Sequence, residues 1–103
     1  MNVIIQAGGK GTRLGRHTKN KPKCLVEFEG KTLLQRQIEN YNNEKIFIIG
    51  DYKFKVLEDY VATFFSDYDI EIIKTTGATG TLSGLRQALQ KIDNDDSILF
   101  MWS

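Results

Sequence analysis

Residues 3–14 read Val3-Ile4-Ile5-Gln6-Ala7-Gly8-Gly9-Lys10-Gly11-Thr12-Arg13-Leu14. A short, β-branched apolar run that stops at a cluster of glycines is the pattern of a buried strand ending in a loop. Gly8, Gly9, Gly11 and Gly15 let the backbone turn sharply and approach a ligand closely. Six basic side chains, Lys10, Arg13, Arg16, Lys19, Lys21 and Lys23, share this stretch, and no acidic residue precedes Glu27. A glycine-rich loop leaving a strand with that much positive charge is suited to holding phosphate.

Outward from this loop, the chain alternates between strand and helix patterns. Cys24 to Phe28 reads as a short extended piece ended by Gly30, inside a connection of unusual length. Thr32 and Gln35 have capping-box spacing for a first helix, with Leu33, Leu34, Ile38 and Tyr41 on one face. Ile46-Phe47-Ile48-Ile49 is a second buried strand. Asp51 is the expected N-cap of a second helix carrying Leu57, Tyr60, Val61 and Phe64 at core spacing. Ile70 to Ile73 is a third strand. A loop of small residues, Thr75 to Thr81, leads into a third helix, where Leu82, Leu85, Leu89 and Ile92 are expected to face the core. Ser97 to Met101 is a fourth strand.

That order predicts an α/β fold, a Rossmann-like three-layer sandwich with a parallel sheet of about four strands and three helices. Right-handed crossovers favour strand order 3-2-1-4 and place both small-residue loops at the carboxyl edge of the sheet. The fourth strand has nothing after it to cover its edge, so the pattern reads as the N-terminal part of a truncated architecture, with 1–103 as one unit.

Composition narrows the function. The 103 residues suffice for one small core, and fractions of 41% hydrophobic and 26% charged are those of an ordinary globular protein. No apolar run is long enough to span a membrane, and one cysteine excludes an internal disulfide, which points to a cytoplasmic setting. The formal net charge of +1 conceals a polarity, because all thirteen acidic residues lie at Glu27 or later. One concentrated basic loop on an acidic body fits a small polyanion better than a nucleic acid.

The glycine loop is not a Walker loop, since Gly11 follows Lys10 rather than preceding it at the required spacing. It also departs from the dinucleotide fingerprint in its third glycine and in lacking a separate acidic partner. A dinucleotide-binding domain and a non-catalytic nucleotide-binding fragment stay open as alternatives at this level. His17 reads as a polar loop residue, Cys24 as a core residue, and Tyr60, Phe64, Phe65 and Tyr68 as packing. Arg16, Lys19 and Lys21 read as a steering charge cluster.

Gly9-Lys10-Gly11-Thr12-Arg13-Leu14, followed by Pro22-Lys23, resembles the G-x-G-T-R-L…P-K signature of the sugar-phosphate nucleotidyltransferase family. Gly30 to Leu34 resembles that family's entry into its first helix, and Gly80-Thr81 its Gly-Thr pair beside the nucleobase. The resemblance implies transfer of an NMP group from an NTP to a sugar phosphate or similar phosphorylated acceptor, with release of pyrophosphate. It implies Arg13 and Lys23 as the catalytic pair, and Ala7, Gly8, Gly9, Lys10, Gly11, Thr12, Arg13, Gly80 and Thr81 as the nucleotide-binding set. Thr75 stands where many members carry a base-reading glutamine, which leaves the base open. Mg2+ is implied as cofactor, with its ligand beyond Ser103. Asp93, Asp95 and Asp96 lie at the wrong end of the fourth strand to replace it. The chain is therefore expected to lack the metal and acceptor parts and to be inactive alone.

Overall fold

A computed structural model describes residues 1–7, 21–75, 80–93 and 96–102, with residues 80 and 81 described by backbone alone. Four parallel strands form the central sheet: β1 (Asn2–Gln6), β4 (Lys45–Gly50), β5 (Ile70–Lys74) and β6 (Ile98–Trp102), in spatial order β5-β4-β1-β6. This is the expected 3-2-1-4 arrangement. A small antiparallel ladder joins β2 (Glu27–Phe28) to β3 (Lys31–Thr32). The helices are α1 (Leu33–Glu39), α2 (Phe54–Phe64) and α3 (Gly80–Gln90).

The central strands β1 and β4 are buried on both faces because crossovers bring helices back over the sheet, while β5 and β6 at its edges are partly exposed. Val3, Ile5 and Ala7 of the first strand segment join Ile46, Ile48, Leu34, Ile38, Leu57 and Val61 in the core beneath α1 and α2. Ile4, Phe47, Ile49 and Ile73 form the opposite core with Ala88 and Ile92 on the α3 side. Strand alternation accounts for the division, odd residues of β1 facing one layer and even residues the other.

Local details differ from the periodicity in four places. The connection after the glycine loop forms a 3-10 turn at Lys23–Leu25 and then the β2–β3 hairpin, rather than one extended piece. Its turn holds Glu29 at φ 53° and Gly30 at φ 84°. Asp51 does not cap α2, whose N-cap is Lys53 in the left-handed region with no side-chain cap. Phe64, placed in the core by spacing, is 66% exposed. On α3, Leu82 is 61% exposed and Leu89 also lies outward, while the inner face belongs to Gly84 and Ala88. The helix sits too close to the sheet for leucines there. A Cβ on Gly84 would stand 2.8 Å from Thr75 Cγ2 and would also overlap Ile49. Gly84 and Ala88 take the innermost positions, Leu85 packs partly buried against the core as expected, and Leu82 and Leu89 turn to the flank.

The first-helix expectation holds at its start. Thr32 caps α1 by accepting a 2.9 Å hydrogen bond from the Gln35 amide. The reciprocal half of the box is absent, because the Gln35 side chain donates to Glu39 at 2.8 Å instead. Thr32 Oγ1 also pairs with the Tyr60 hydroxyl at 2.9 Å and so ties α1 to α2.

Candidate nucleotide site at the carboxyl edge

In a parallel α/β sheet the loops leaving the strands' carboxyl ends gather along one edge, where helix N-termini also point their unpaired amides. Here that edge carries Ala7 after β1, Gly50 at the end of β4, Thr75 after β5 and the start of α3 at Gly80-Thr81. The contacts prescribed by Gly84 set the first turns of α3 over the ends of β4 and β5. Both small-residue loops therefore emanate from the same edge. Gly8, Gly9, Lys10, Gly11, Thr12 and Arg13 lie outside the described residues, as do Arg16, His17 and Lys19.

Ala7 is fixed by β4. Its amide donates to the Ile49 carbonyl at 2.7 Å and its methyl is buried in the α1–α2 core. Its side chain is thus committed to packing, and its backbone aims the glycine loop.

Lys23 is placed by its neighbours. Pro22, Cys24, Leu25 and Val26 are all buried, and Lys23 is the exposed member of this run. The Leu25 amide closes the turn on the Pro22 carbonyl at 3.0 Å, and the Val26 amide on the Lys23 carbonyl at 3.1 Å. Pro22 enters with φ −69°, the value its ring imposes. A lysine whose backbone is held on both sides by core residues has one direction left for its side chain, which is outward. Cys24 is core, as expected. Burial pushes its thiol from 9.0 up to about 12, outweighing a backbone hydrogen bond that acts the other way. The thiolate is suppressed and no nucleophile resides there.

Thr75 is buried and self-satisfied. Its amide donates to the Gly50 carbonyl at 2.9 Å and its hydroxyl reaches the same oxygen at 3.5 Å. Gln6, on the far side of β4 at the same edge, is different. It is 5% exposed, and its Oε1 has no hydrogen-bond partner among the described residues. A buried acceptor left in this way costs about 1–3 kcal/mol. Gln37 Oε1 on α1 is likewise unpaired, but the other end of that amide is engaged, donating to the Trp102 carbonyl at 2.8 Å. The sequence offered one signal for Gln6, a polar residue closing the apolar run Val3-Ile4-Ile5, and motif reading passed over it.

Asp96 lies at the opposite, amino edge, where Asn2 Nδ2 donates to its carboxylate at 3.3 Å. This placement rules it out as a group acting at the nucleotide edge. Among the described residues, no group of three or more His, Cys, Asp or Glu side chains could hold a metal ion. No helix among the described residues is long and apolar enough to cross a membrane. Elsewhere, a groove of about 750 Å³ runs between α1 and α2, with Thr32, Gln35, Tyr60 and Phe64 among its walls. Two of its carboxylates are already paired, Glu39 with Lys31 at 2.9 Å and Asp59 with Lys55 at 3.1 Å.

Residues 3–102 match the family model of the MobA-like NTP transferase domain, and the chain belongs to that family. It is 39% identical over 74 residues to a CTP:phosphoglutamine cytidylyltransferase of Campylobacter jejuni, covering 69% of this chain and 28% of the relative. With a glucose-1-phosphate cytidylyltransferase of Salmonella typhimurium it shares 29% identity over 127 aligned positions, covering 99% of this chain and 49% of that enzyme. Its fold superposes on the CTP:phosphocholine cytidylyltransferase of Streptococcus pneumoniae with a TM-score of 0.67 and 26% identity, over 90% of this chain and 41% of the other. The chain thus spans less than half the length of each of these proteins.

Proposed function

We propose that this chain supplies the nucleotide-binding part of a nucleotidyltransferase that passes an NMP group from an NTP to a phosphorylated small molecule. In that reaction an acceptor phosphate oxygen attacks the α-phosphorus, the bond from the α-phosphorus to its bridging oxygen breaks, and pyrophosphate leaves. No protein nucleophile is required; positioning and neutralisation of charge on the phosphates do the work. Family membership supports the class of reaction, and the described relatives are cytidylyltransferases acting on phosphorylated acceptors. A cytoplasmic setting, where nucleoside triphosphates are available, fits this role.

Lys23 carries the reading. It is the one exposed residue between buried Pro22 and buried Val26, on a turn closed by two backbone hydrogen bonds. A cation presented that rigidly suits the α-phosphate and the incoming acceptor phosphate. Arg13 is assigned the β- and γ-phosphates, where a planar and permanently charged fork can stabilise departing pyrophosphate. Lys10 and the amides of Gly8 to Thr12 complete the cradle, and the N-terminus of α3 at Gly80-Thr81 lies against the base. Mg2+ would supply charge neutralisation on the phosphates when bound, and no step here passes through it.

The test is titration of the chain with ATP, CTP, GTP, UTP and NAD by calorimetry. One NTP should bind, with Lys23→Ala and Arg13→Ala each weakening it about 10- to 100-fold, the worth of a charge-assisted contact. Binding of NAD alone would exclude the transferase reading. Pyrophosphate release in the presence of phosphocholine or a sugar 1-phosphate then tests turnover. We expect the chain to bind without turning over, as it spans less than half the length of these relatives.

A further inference from the structure

Gln6 occupies a position that its surroundings leave unexplained. Strand alternation puts it with Ile4 on the α3 side of the sheet, and its register partners are Ile49 on β4 and Trp102 on β6. It is the last residue of β1 before the chain enters the glycine loop. An apolar side chain would extend the row formed by Ile73 and Ile49, yet the position holds a carboxamide that is 5% exposed and whose oxygen is unpaired among the described residues. Thr75, the other buried polar residue described at this edge, lies across β4 and spends its hydroxyl on the Gly50 carbonyl.

We propose that Gln6 is a specificity-determining residue of the nucleotide site, its buried carboxamide oxygen accepting a hydrogen bond from an N–H on the edge of the bound nucleobase. The inference rests on the nucleotide site proposed above. The geometry gives it three supports: Gln6 lies at the carboxyl edge, it faces the layer of α3, and it directly precedes the loop assigned to the phosphates. The chemistry gives a fourth. A carboxamide offers an acceptor and a donor side by side in one plane, the complement of a base edge that sets an N–H beside a ring nitrogen or a carbonyl. An unpaired buried acceptor discriminates strongly, because a ligand without the N–H leaves it unpaired still. Triphosphate recognition needs none of this, so Gln6 acts on the base and not on the phosphates.

The experiment compares wild type with Gln6→Leu and Gln6→Met, the second keeping the length of the side chain. Two probes are titrated into each, the NTP that wild type binds best and inorganic tripolyphosphate. Thermal melts of the ligand-free proteins are recorded alongside. The expected result is a loss of NTP affinity of about 10- to 100-fold in both variants. Tripolyphosphate affinity should be unchanged, and the melting temperature should rise, since an unpaired buried oxygen has been removed. Variants that bind the NTP as wild type does overturn the role of Gln6 and leave the nucleotide site standing. Equal losses for both probes, or melting temperatures that fall, assign Gln6 to the framework and overturn the proposal. A wild-type chain that binds no NTP overturns this inference together with the function it rests on.

Discussion

Individual residues at this site divide into those spent on the core and those held out from it. Cys24 belongs to the first group, and its chemistry gives a pH signature. Burial holds the folded thiol at about 12 against an ordinary value of 9.0, so the folded state keeps a proton that the unfolded chain loses. Stability from this group is complete below pH 9.0 and is lost as pH rises toward 12. The slope is at most about 1.4 kcal/mol per pH unit. Urea denaturation at several pH values between 8 and 10.5 should show wild type losing stability more steeply than Cys24→Ala. Parallel slopes would contradict the burial. Lys23, the residue before Cys24, was legible from its Pro-Lys signature, because a fixed φ and a charged neighbour are properties of sequence. Gln6 was not legible in the same way. Its significance lies in what fails to surround it, and only packing reveals that.

Secondary elements show where periodicity suffices and where it does not. The four parallel strands and their order follow from apolar runs bounded by glycine and polar turns, and from the handedness of crossovers. The faces of α3 do not follow. Helical spacing of Leu82, Leu85, Leu89 and Ile92 suggests an inward stripe. Leu85 and Ile92 do pack on the core, but Leu82 and Leu89 are exposed, and Gly84 and Ala88 take the inner face because the helix approaches Ile49 and Thr75 closely. Spacing identifies a stripe but cannot say how far the helix axis stands from the sheet. Gly84→Ala should therefore destabilise the fold by about 1–3 kcal/mol, read from urea unfolding, as overpacking does. Ser83→Ala on the exposed side should stay within about 0.5 kcal/mol. Equal effects would mean that α3 does not press on the sheet at Gly84. The start of α2 was missed for a related reason, since Lys53 enters in a left-handed conformation that no propensity favours for lysine.

Across the whole molecule, coverage is uneven. α1 and α2 blanket one face, but on the other side Ile98 and Trp102 of the edge strand and Leu82 and Leu89 of α3 stand exposed together. Trp102 is 65% exposed and packs edge-on against Phe100 at 5.5 Å between ring centroids. An apolar edge strand with unpaired backbone groups invites pairing with another chain. Sedimentation of the 103-residue chain should show an average mass that rises with concentration. Ile98→Lys, which places a charge on that edge, should suppress the rise, and a strictly monomeric wild type at high concentration would contradict it. The position of β1 has a consequence in time. It lies at the centre of the sheet, and the Asn2 amide donates to the Ser97 carbonyl at 2.8 Å. β6 lies far along the sequence from β1, so it must be made before β1 gains its second neighbour. Until then Val3-Ile4-Ile5 is paired on one side at most, and the central strand of the sheet is among the last to be completed.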